Sequence, residues 1–325
     1  IARKLGEPLH LKYILDVRDL SGTPYADRAV KDFALLENDP ELDVVVESIG
    51  GAKVALEFTR RALLAGKHVV TSNKELVAAH GRELLAIARV DMGAVPLDQV
   101  KILAPITHPR NDIICLGINY KSHDDELPDE YVPEKIVQRQ VPVYFSKRVD
   151  RTVDPEGTID GHFNVVKELD YECELAVIIG KEAKDVEEKD AADYVFGYTI
   201  INDVTARDVQ VAHKQWYFGK SLDTFAPMGP CIVTADEFDF PPALSIQCRV
   251  NGELRQDSNT KYLVHGIPYI ISELSKGMTL RAGTIIATGT PAGTGIGLNP
   301  PQFLKSGDVV ECSIEGIGTL RNTVK

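Results

Sequence analysis

A change of hydrophobic pattern part-way along the 325-residue chain constrains the fold most strongly. In residues 1–90, short apolar runs that are typical of strands alternate with longer segments of helical periodicity. The predicted strands and amphipathic helices are, in chain order, a strand at 11–17, a strand at 42–49, a helix at 53–66, a strand at 67–72 and a helix at 73–90. Because strands that alternate with helices favour βαβ units, we predict a small α/β region here.

The pattern then changes to one dominated by strands. Residues 91–110 contain three prolines and little helical periodicity, so they are interpreted as a linker. Beyond them, the predicted strand segments are 112–120, 142–147, 171–180, 195–203, 244–256, 284–291 and 308–324, and the predicted short helices are 188–194 and 267–277. Asn251-Gly252 predicts a hairpin with a type I′ turn. The chain is therefore predicted to be α+β and mostly β, with a region at 1–90, a linker at 91–110 and a main domain at 111–325.

Composition narrows the classes of function. The net charge is −12 and no cluster of Lys and Arg stands out, which argues against nucleic acid and anionic membranes as partners. No apolar run of about 18 residues predicts a spanning helix. No signal-peptide pattern opens the chain, although it starts at Ile1 rather than at Met. The five cysteines are odd in number and scattered, which fits a reducing cytoplasm and indicates neither a disulfide framework nor a zinc site.

The segment "LDYECELAVIIG" at residues 169–180 reads as a core strand, yet it carries two carboxylates. Glu172 and Glu174 face the same side of a strand, with Cα atoms about 6.6 Å apart. Asp203 ends the next strand pattern and offers a third carboxylate. Three carboxylates without His or Cys beside them suit a hard cation such as Mg²⁺, Mn²⁺ or Ca²⁺. Spacing alone leaves an exposed edge strand with two solvated glutamates as an equal alternative.

Three further features contain candidate catalytic or substrate-binding residues. Lys220, in "GKSLDTFAPMGP", could stabilise an enolate or bind a substrate carboxylate, and a solvated loop lysine is the alternative. His123 and Glu126 stand three residues apart, so on a short helix they would form a base and its orienting partner, or else a surface pair. The glycine-rich stretch at 287–297 has no Lys in phosphate-loop position, so it is interpreted as a substrate-contacting loop.

The motifs of residues 1–90 resemble the nucleotide-binding domain of homoserine dehydrogenase. The resemblance rests on "DPELDVVVESIGG" (39–51), "ALLAGKHVVTSNKEL" (62–76) and "AAHGRELL" (78–85). It implies a catalytic role for Lys74, whereas a solvated lysine at a helix start is the alternative that we favour. The glycine turn G-x-G-x-x-G that holds a pyrophosphate is missing. Residues 1–90 are thus interpreted as a truncated βαβ remnant, a fusion or an artefact.

Residues 100–325 resemble the fumarylacetoacetate hydrolase family. The resemblance rests on five motifs that occur in the family's order: "ICLGINYKSH" (114–123), "DYECELAVIIG" (170–180), "GYTIINDVTARDVQ" (197–210), "GKSLDTFAPMGP" (219–230) and "IATGTPAGTG" (286–295). It implies a mixed, rolled β-sandwich, a homodimer, and Mg²⁺ or Mn²⁺ as the cofactor, with Ca²⁺ as a substitute in crystals. The residues that it implies are the metal ligands Glu172, Glu174 and Asp203, the catalytic His123, Glu126 and Lys220 with the His–Glu pair on a lid, and the substrate contacts Gln210, Thr290, Tyr120 and Arg207.

These features predict an enzyme that acts on a 2-oxo acid. We expect the metal to chelate the substrate and stabilise an enolate, while Lys220 adds positive charge and His123 activates water or moves a proton. The outcome would be carbon–carbon hydrolysis of an acylpyruvate, or decarboxylation, tautomerisation or isomerisation. The alternatives are a 2-hydroxyhepta-2,4-diene-1,7-dioate isomerase and an oxaloacetate tautomerase or decarboxylase. Two further alternatives belong to other classes of function. They are an NAD(P)-binding protein that resembles homoserine dehydrogenase and a non-catalytic metal-binding protein.

Overall fold

The structure, a computed structural model, describes residues 10–88, 99–128 and 141–325. These residues form two compact units, divided between Val100 and Lys101. The first part of the predicted linker, residues 91–98, lies outside the described residues. The domain limits drawn at residues 90 and 110 therefore stay predictions. In the described part of the chain, no helix has the length and apolar character needed to cross a bilayer.

The first unit is a small α/β region. Its strands are β1 (Ile14–Leu15), β2 (Ala29–Val30), β3 (Val44–Glu47) and β4 (His68–Thr71), and its helices are α1 (Ala34–Glu37), α2 (Ala52–Leu64) and α3 (Lys74–Ala88), besides a 3₁₀ turn at Ala26–Arg28. Strand β1 pairs with β2 and β3 pairs with β4, both in parallel. The pair β3 and β4 forms a βαβ unit with α2 between its strands, whereas a 3₁₀ turn rather than an α-helix lies between β1 and β2.

The start of α3 shows how this unit is held together. Asn73 is buried, and its side-chain amide donates to the carbonyl oxygens of Ile49 and Gly51 at 2.9 and 3.0 Å. Its side-chain oxygen accepts the Leu76 amide at 3.0 Å, which caps the helix. The neighbouring Lys74 is exposed and starts the helix. The asparagine of the "NK" pair thus has a clear structural role, while Lys74 has the exposure of a solvated lysine.

The second unit contains two main sheets. Its strands are β5 (Ile113–Gly117), β6 (Val143–Lys147), β7 (Thr158–Ile159), β8 (Leu169–Asp170), β9 (Cys173–Ile179), β10 (Val195–Asn202), β11 (Thr205–Ala206), β12 (Met228–Thr234), β13 (Ser245–Val250), β14 (Glu253–Asn259), β15 (Ile285–Ala287), β16 (Val309–Ile314) and β17 (Gly318–Val324). One sheet has the order β12-β10-β9-β15-β5-β6 and the other β14-β13-β16-β17-β7, while β11 and β8 pair separately. Each main sheet is antiparallel apart from one parallel pair, β15 with β5 and β17 with β7.

Short helices connect these strands. They are α4 (Lys121–Glu126), α5 (Arg207–Ala212), α6 (Tyr217–Lys220) and α7 (Ile267–Gly277), with 3₁₀ turns at Glu188–Tyr194, Ala235–Glu237, Thr260–Tyr262 and Gly295–Gly297. The hairpin between β13 and β14 turns at Asn251 and Gly252, whose φ angles are 53° and 81°. Positive φ at both central residues is the geometry of a type I′ turn, which the sequence predicts there.

Strand β9 runs through the main core and is buried on both faces. Leu175, Val177 and Ile179 pack in one apolar cluster with residues of both main sheets, such as Ile246 and Val310. Ala176 and Ile178, on the opposite face, belong to a second apolar cluster. Because strand side chains alternate, Glu174 lies on the face of Ala176, and Cys173 lies on that of Leu175. Burial on both faces excludes the solvated edge strand that the spacing of the glutamates left open.

Candidate metal centre and active-site pocket

Three buried carboxylates converge where β9 and β10 meet. Glu172 directly precedes β9, Glu174 lies within it, and Asp203 directly follows β10. The pairing of β9 with β10 brings these positions together, and the Asp203 amide donates to the Glu172 carbonyl oxygen at 2.8 Å. One carboxylate oxygen from each residue lies within 4.8 Å of the other two. The structure therefore brings together the three predicted metal ligands.

Glu172 is neutralised by two cations. Its carboxylate oxygens lie 2.6 Å from Lys220 Nζ and 2.7 Å from the Arg207 guanidinium. Burial raises the pKa of Glu172, but the charges of Lys220 and Arg207 outweigh this effect and lower that pKa to about 2. Burial likewise lowers the pKa of Lys220, and Asp203 and Glu172 more than reverse it, so this pKa lies above its ordinary value. Both groups are therefore charged at neutral pH.

Asp203 lies between two lysines. Its Oδ2 accepts from Lys220 Nζ at 2.8 Å, and its Oδ1 accepts from Lys147 Nζ at 2.6 Å. Lys147 is fully buried at the end of β6, and it also donates to the carbonyl oxygens of Val204 and Lys220. Its three donors are thus all used within the protein. Lys147 therefore fixes both the carboxylate of Asp203 and the backbone that carries Lys220.

Glu174, unlike Glu172 and Asp203, has no cation beside its carboxylate among the described residues. It lies within ion-pair distance of no cation among the described residues, and its Oε2 accepts a single hydrogen bond, from the Gly289 amide at 2.8 Å. Burial, together with the charges of Asp203 and Glu172, raises the pKa of Glu174 well above its ordinary value. A buried carboxylate beside two others needs a positive charge to stay ionised. A divalent cation would supply it, and an oxygen-only set of ligands suits a hard metal ion.

The charges around the cluster lead to the same conclusion. Four buried carboxylates face three buried cations, and the full set is Asp170, Glu172, Glu174, Asp203, Lys147, Arg207 and Lys220. If all seven groups are ionised, one negative charge is left over, and it is that of Glu174. The residues present therefore fit a divalent cation bound by the three carboxylates.

The His123–Glu126 pair lies on α4, and both side chains are largely buried. His123 Nδ1 is 2.7 Å from Glu126 Oε1. The glycine-rich loop fixes Glu126 from the other side, because the Gly293 amide and the Thr294 hydroxyl donate to its two oxygens at 2.6 and 2.8 Å. The structure thus forms the predicted pair. Residues 129–140, which continue the expected lid, lie outside the described residues.

One pocket joins these groups and has two kinds of wall. The polar wall is formed by His123, Glu172, Glu174, Arg207, Gln210, Lys220 and Thr290. The facing wall is apolar and comes from Leu116, Ile118, Leu127, Phe145, Val211, Trp216 and Ile296. Such a pocket can position a small polar group against the carboxylates while excluding water from it.

The four predicted substrate contacts occupy different places. Arg207, Gln210 and Thr290 line the pocket, and Arg207 donates to Gln210 at 3.4 Å. Tyr120 does not line it, but its fully buried hydroxyl lacks a hydrogen-bond partner among the described residues. Burial and the charge of Glu174 raise the pKa of Tyr120 above its ordinary value.

The sequence reasoning overlooked several residues that complete the site. Asp170 accepts from Arg207, Lys147 donates to Asp203, and the buried Gln256 of β14 donates to the Thr290 hydroxyl at 2.7 Å. Only Asp170 had a usable signal in the sequence, because it stands two residues before Glu172. Gln256 had none, because its contacts come from the packing of one sheet against the other.

The architecture and the pocket define a β-rich enzyme domain with a buried, oxygen-lined cation site. Residues 112–325 match the family model described as the C-terminal domain of fumarylacetoacetate (FAA) hydrolase, and residues 9–95 match the NAD-binding domain of homoserine dehydrogenase. The chain therefore belongs to the fumarylacetoacetate hydrolase family and is an enzyme of that family. Both resemblances and the α+β fold class, predicted from the sequence, are confirmed.

Individual relatives agree with this assignment. Oxaloacetate tautomerase YisK of Bacillus subtilis (strain 168) is 46% identical over 76% of this chain and 82% of its own length. The solved fumarylacetoacetate hydrolase of Exiguobacterium antarcticum is 47% identical, with a TM-score of 0.59 over 69% of this chain and 77% of its own. The solved 2-hydroxyhepta-2,4-diene-1,7-dioate isomerase of Mycobacterium marinum is 35% identical, with a TM-score of 0.57 over 72% of this chain and 81% of its own.

Proposed function

We propose that this chain is a divalent-metal-dependent enzyme that acts on a small 2-oxo acid. The observation that carries the proposal is the uncompensated carboxylate of Glu174, which shares one pocket with Glu172, Lys220 and His123. Mg²⁺ or Mn²⁺ would be bound by Glu172, Glu174 and Asp203, since both ions prefer carboxylate oxygens. When bound, such a cation supplies Lewis-acid polarisation of a 2-oxo group and charge for an enolate.

The chain's own residues would do the remaining work. Lys220 Nζ, at 2.6 and 2.8 Å from two carboxylates, brings a fixed positive charge to the place where an enolate oxygen would develop. His123, oriented by Glu126, would take a proton from the carbon next to the oxo group and return it in the product. Arg207, Gln210 and Thr290 would position the substrate's oxygens, and the apolar wall would keep bulk water away.

Among the family's reactions, we propose keto–enol tautomerisation of oxaloacetate as the main activity. It needs one base and one stabilised enolate, which His123 and Lys220 can serve without an activated water. The Bacillus subtilis relative that is 46% identical bears the name of this activity. Hydrolysis of acylpyruvates would use the same residues with water admitted to the pocket. Decarboxylation of oxaloacetate would release CO₂ without water and leave an enolate, which His123 would protonate.

Isomerisation of an unsaturated 2-oxo diacid is the second candidate. The name of the Mycobacterium marinum structure favours it, and the same pair could move a proton along a conjugated chain. A panel of oxaloacetate, an acylpyruvate and an unsaturated 2-oxo diacid would separate these reactions. The substrate with the highest kcat/KM identifies the activity.

Two substitutions test the metal-dependent scheme. We expect Glu174→Ala to abolish Mg²⁺ binding and turnover together, because one of three ligands is lost. His123→Ala should abolish turnover and spare Mg²⁺ binding, since His123 supplies no ligand. Full turnover by protein freed of metal with a chelator would refute the proposal, as would unchanged turnover in the His123 variant.

We further propose that the enzyme is a cytoplasmic homodimer. The five cysteines are free, which fits a reducing compartment, and dimers are usual in the family that the motifs resemble. Light scattering coupled to size-exclusion chromatography measures the oligomeric state directly. A monomer at micromolar concentration would contradict the dimer.

A further inference from the structure

Asp170, the last residue of β8, is fully buried and receives four hydrogen bonds. Its Oδ1 accepts from the amides of Tyr171 and Gly295 at 2.9 and 2.7 Å. Its Oδ2 accepts from Arg207 Nε and the Ile296 amide at 2.9 and 3.1 Å. A carboxylate offers about four acceptor positions, whereas an amide side chain of the same size has one accepting atom and one donating atom. The site therefore requires an aspartate.

Asp170 controls the environment of the carboxylate cluster. The Arg207 guanidinium contacts Asp170 at 2.9 Å and Glu172 at 2.7 Å, so the two carboxylates share one positive charge. Without the charge of Asp170, Arg207 would act on Glu172 alone. The cluster would then be more positive by one unit and would attract a divalent cation less strongly.

Asp170 also binds the glycine-rich loop, and this loop in turn binds Glu126 of the His123–Glu126 pair. The amides of Gly295 and Ile296 that bind Asp170 directly follow Gly293 and Thr294, which bind Glu126. Glu126 in turn fixes the ring of His123. A continuous chain of hydrogen bonds thus runs from Glu172 through Arg207, Asp170 and the loop to His123.

We propose that Asp170 is a positioning residue that couples the carboxylate cluster to the His123–Glu126 pair. It touches neither the pocket nor the reacting atoms. The effect of Asp170 on catalysis rests on the proposed function, but the coupling between the two groups can be measured without turnover. A single change at Asp170 should therefore alter both the carboxylate cluster and the His123–Glu126 pair.

The test compares Asp170→Asn with a matched control. Asp154→Asn removes another buried aspartate that binds a backbone amide, of Ala104 at 3.0 Å, and a guanidinium, of Arg151 at 3.1 Å, but has no hydrogen bond to the site. Two readouts are taken. Calorimetry measures the affinity for Mn²⁺, and ¹⁵N NMR of metal-free protein follows the His123 ring signal, assigned with His123→Gln.

We expect Asp170→Asn to weaken Mn²⁺ binding about tenfold or more and to shift the His123 Nδ1 signal. Asp154→Asn should leave both readouts unchanged. Thr294→Val, which removes one bond to Glu126, should shift the His123 signal without changing Mn²⁺ affinity. If Asp170→Asn leaves either the affinity or the His123 signal at its wild-type value, the coupling does not exist.

Two further outcomes of the experiment need to be considered. If Asp170→Asn does not fold, Asp170→Asn combined with Arg207→Gln also removes the positive charge that Asp170 balanced, and the His123 shift must persist in this double variant. Failure of wild-type protein to bind Mn²⁺ would overturn the proposed function. The His123 signal would then decide the coupling alone.

Discussion

Glu172 and Glu174 are two residues apart, yet their surroundings give them opposite effects on stability. The pKa of Glu172 is lowered to about 2, so its charge stabilises the fold above the ordinary glutamate pKa and this contribution is lost as pH falls towards 2. The pKa of Glu174 is raised, so in metal-free protein its carboxyl costs stability as pH rises above the ordinary value.

We therefore expect Glu174→Gln to raise the melting temperature of metal-free protein at pH 7, since a neutral amide replaces a buried unpaired charge and can still accept from Gly289. Glu172→Gln should lower the free energy of unfolding by roughly 3–5 kcal/mol, because Lys220 and Arg207 lose their partner. Thermal unfolding measures the melting temperature and chemical denaturation measures the free energy of unfolding, both with a chelator present. A lower stability of the Glu174 variant would show that its charge is already compensated.

Lys147 offers a second test at this scale. Replacing it with Met leaves Asp203 Oδ1 and two carbonyl oxygens without their donor in a buried place. The expected loss of unfolding free energy is roughly 3–5 kcal/mol. Lys121→Met is the control, because its ion pair with Asp125 is exposed and worth about 0.5 kcal/mol or less. Equal losses in the two variants would contradict the role given to Lys147.

At the same scale, the spacing of Glu172 and Glu174 predicted a shared face, and the motif order supplied Asp203, Lys220 and His123 as partners. What one sequence could not show is which lysine lies inside. Lys147 ends an alternating strand in the way that many solvated lysines do, and its burial depends on the distant Asp203.

At the scale of elements, the glycine-rich loop at 287–297 has a structural role in addition to the substrate contacts predicted for it. The sequence predicted substrate contacts, and Thr290 does line the pocket. However, most of its contacts are with the protein, because the amides of Gly289, Gly293 and Gly295 each donate to a different carboxylate, those of Glu174, Glu126 and Asp170. Its glycines let the backbone come that close.

Gly297 gives this arrangement a direct test. A Cβ atom there would lie 2.1 Å from Glu126 Cδ, so Gly297→Ala must displace the Glu126 side chain. We expect kcat to fall about tenfold or more while the affinity for Mg²⁺ stays within about twofold. Gly277→Ala is the control, since a Cβ there meets no atom within 4 Å. Unchanged kcat in the Gly297 variant would mean that Glu126 does not orient the base.

Elements with strong local signals were predictable. Strands β10 and β16 and the helix α7 lie within predicted segments, and α7 matches its predicted range. Strand β12 was overlooked because Gly229 and Pro230 interrupt its pattern. The two-residue strands β8 and β11 have too few residues for any period and exist because they pair with each other.

At the scale of the whole molecule, the two units differ in what they should bind. The acid cluster and pocket belong entirely to the unit that starts at Lys101. Residues 9–95 match a NAD-binding domain, but the turn G-x-G-x-x-G that would hold a pyrophosphate is absent from residues 1–110. Mg²⁺ should therefore stabilise the second unit, and NAD⁺ should stabilise neither.

The single tryptophan makes this difference measurable. Trp216 lines the pocket and packs edge-on against Phe145, so its fluorescence reports the unfolding of the second unit alone. Far-UV circular dichroism also follows α2 and α3 of the first unit. With Mg²⁺ at about 100 times its dissociation constant, we expect roughly 2.7 kcal/mol of stabilisation and a higher fluorescence midpoint. NAD⁺ should move neither signal. Two results would contradict these roles. One is an unfolding midpoint by fluorescence that does not change with Mg²⁺, and the other is an unfolding midpoint by circular dichroism that rises with NAD⁺.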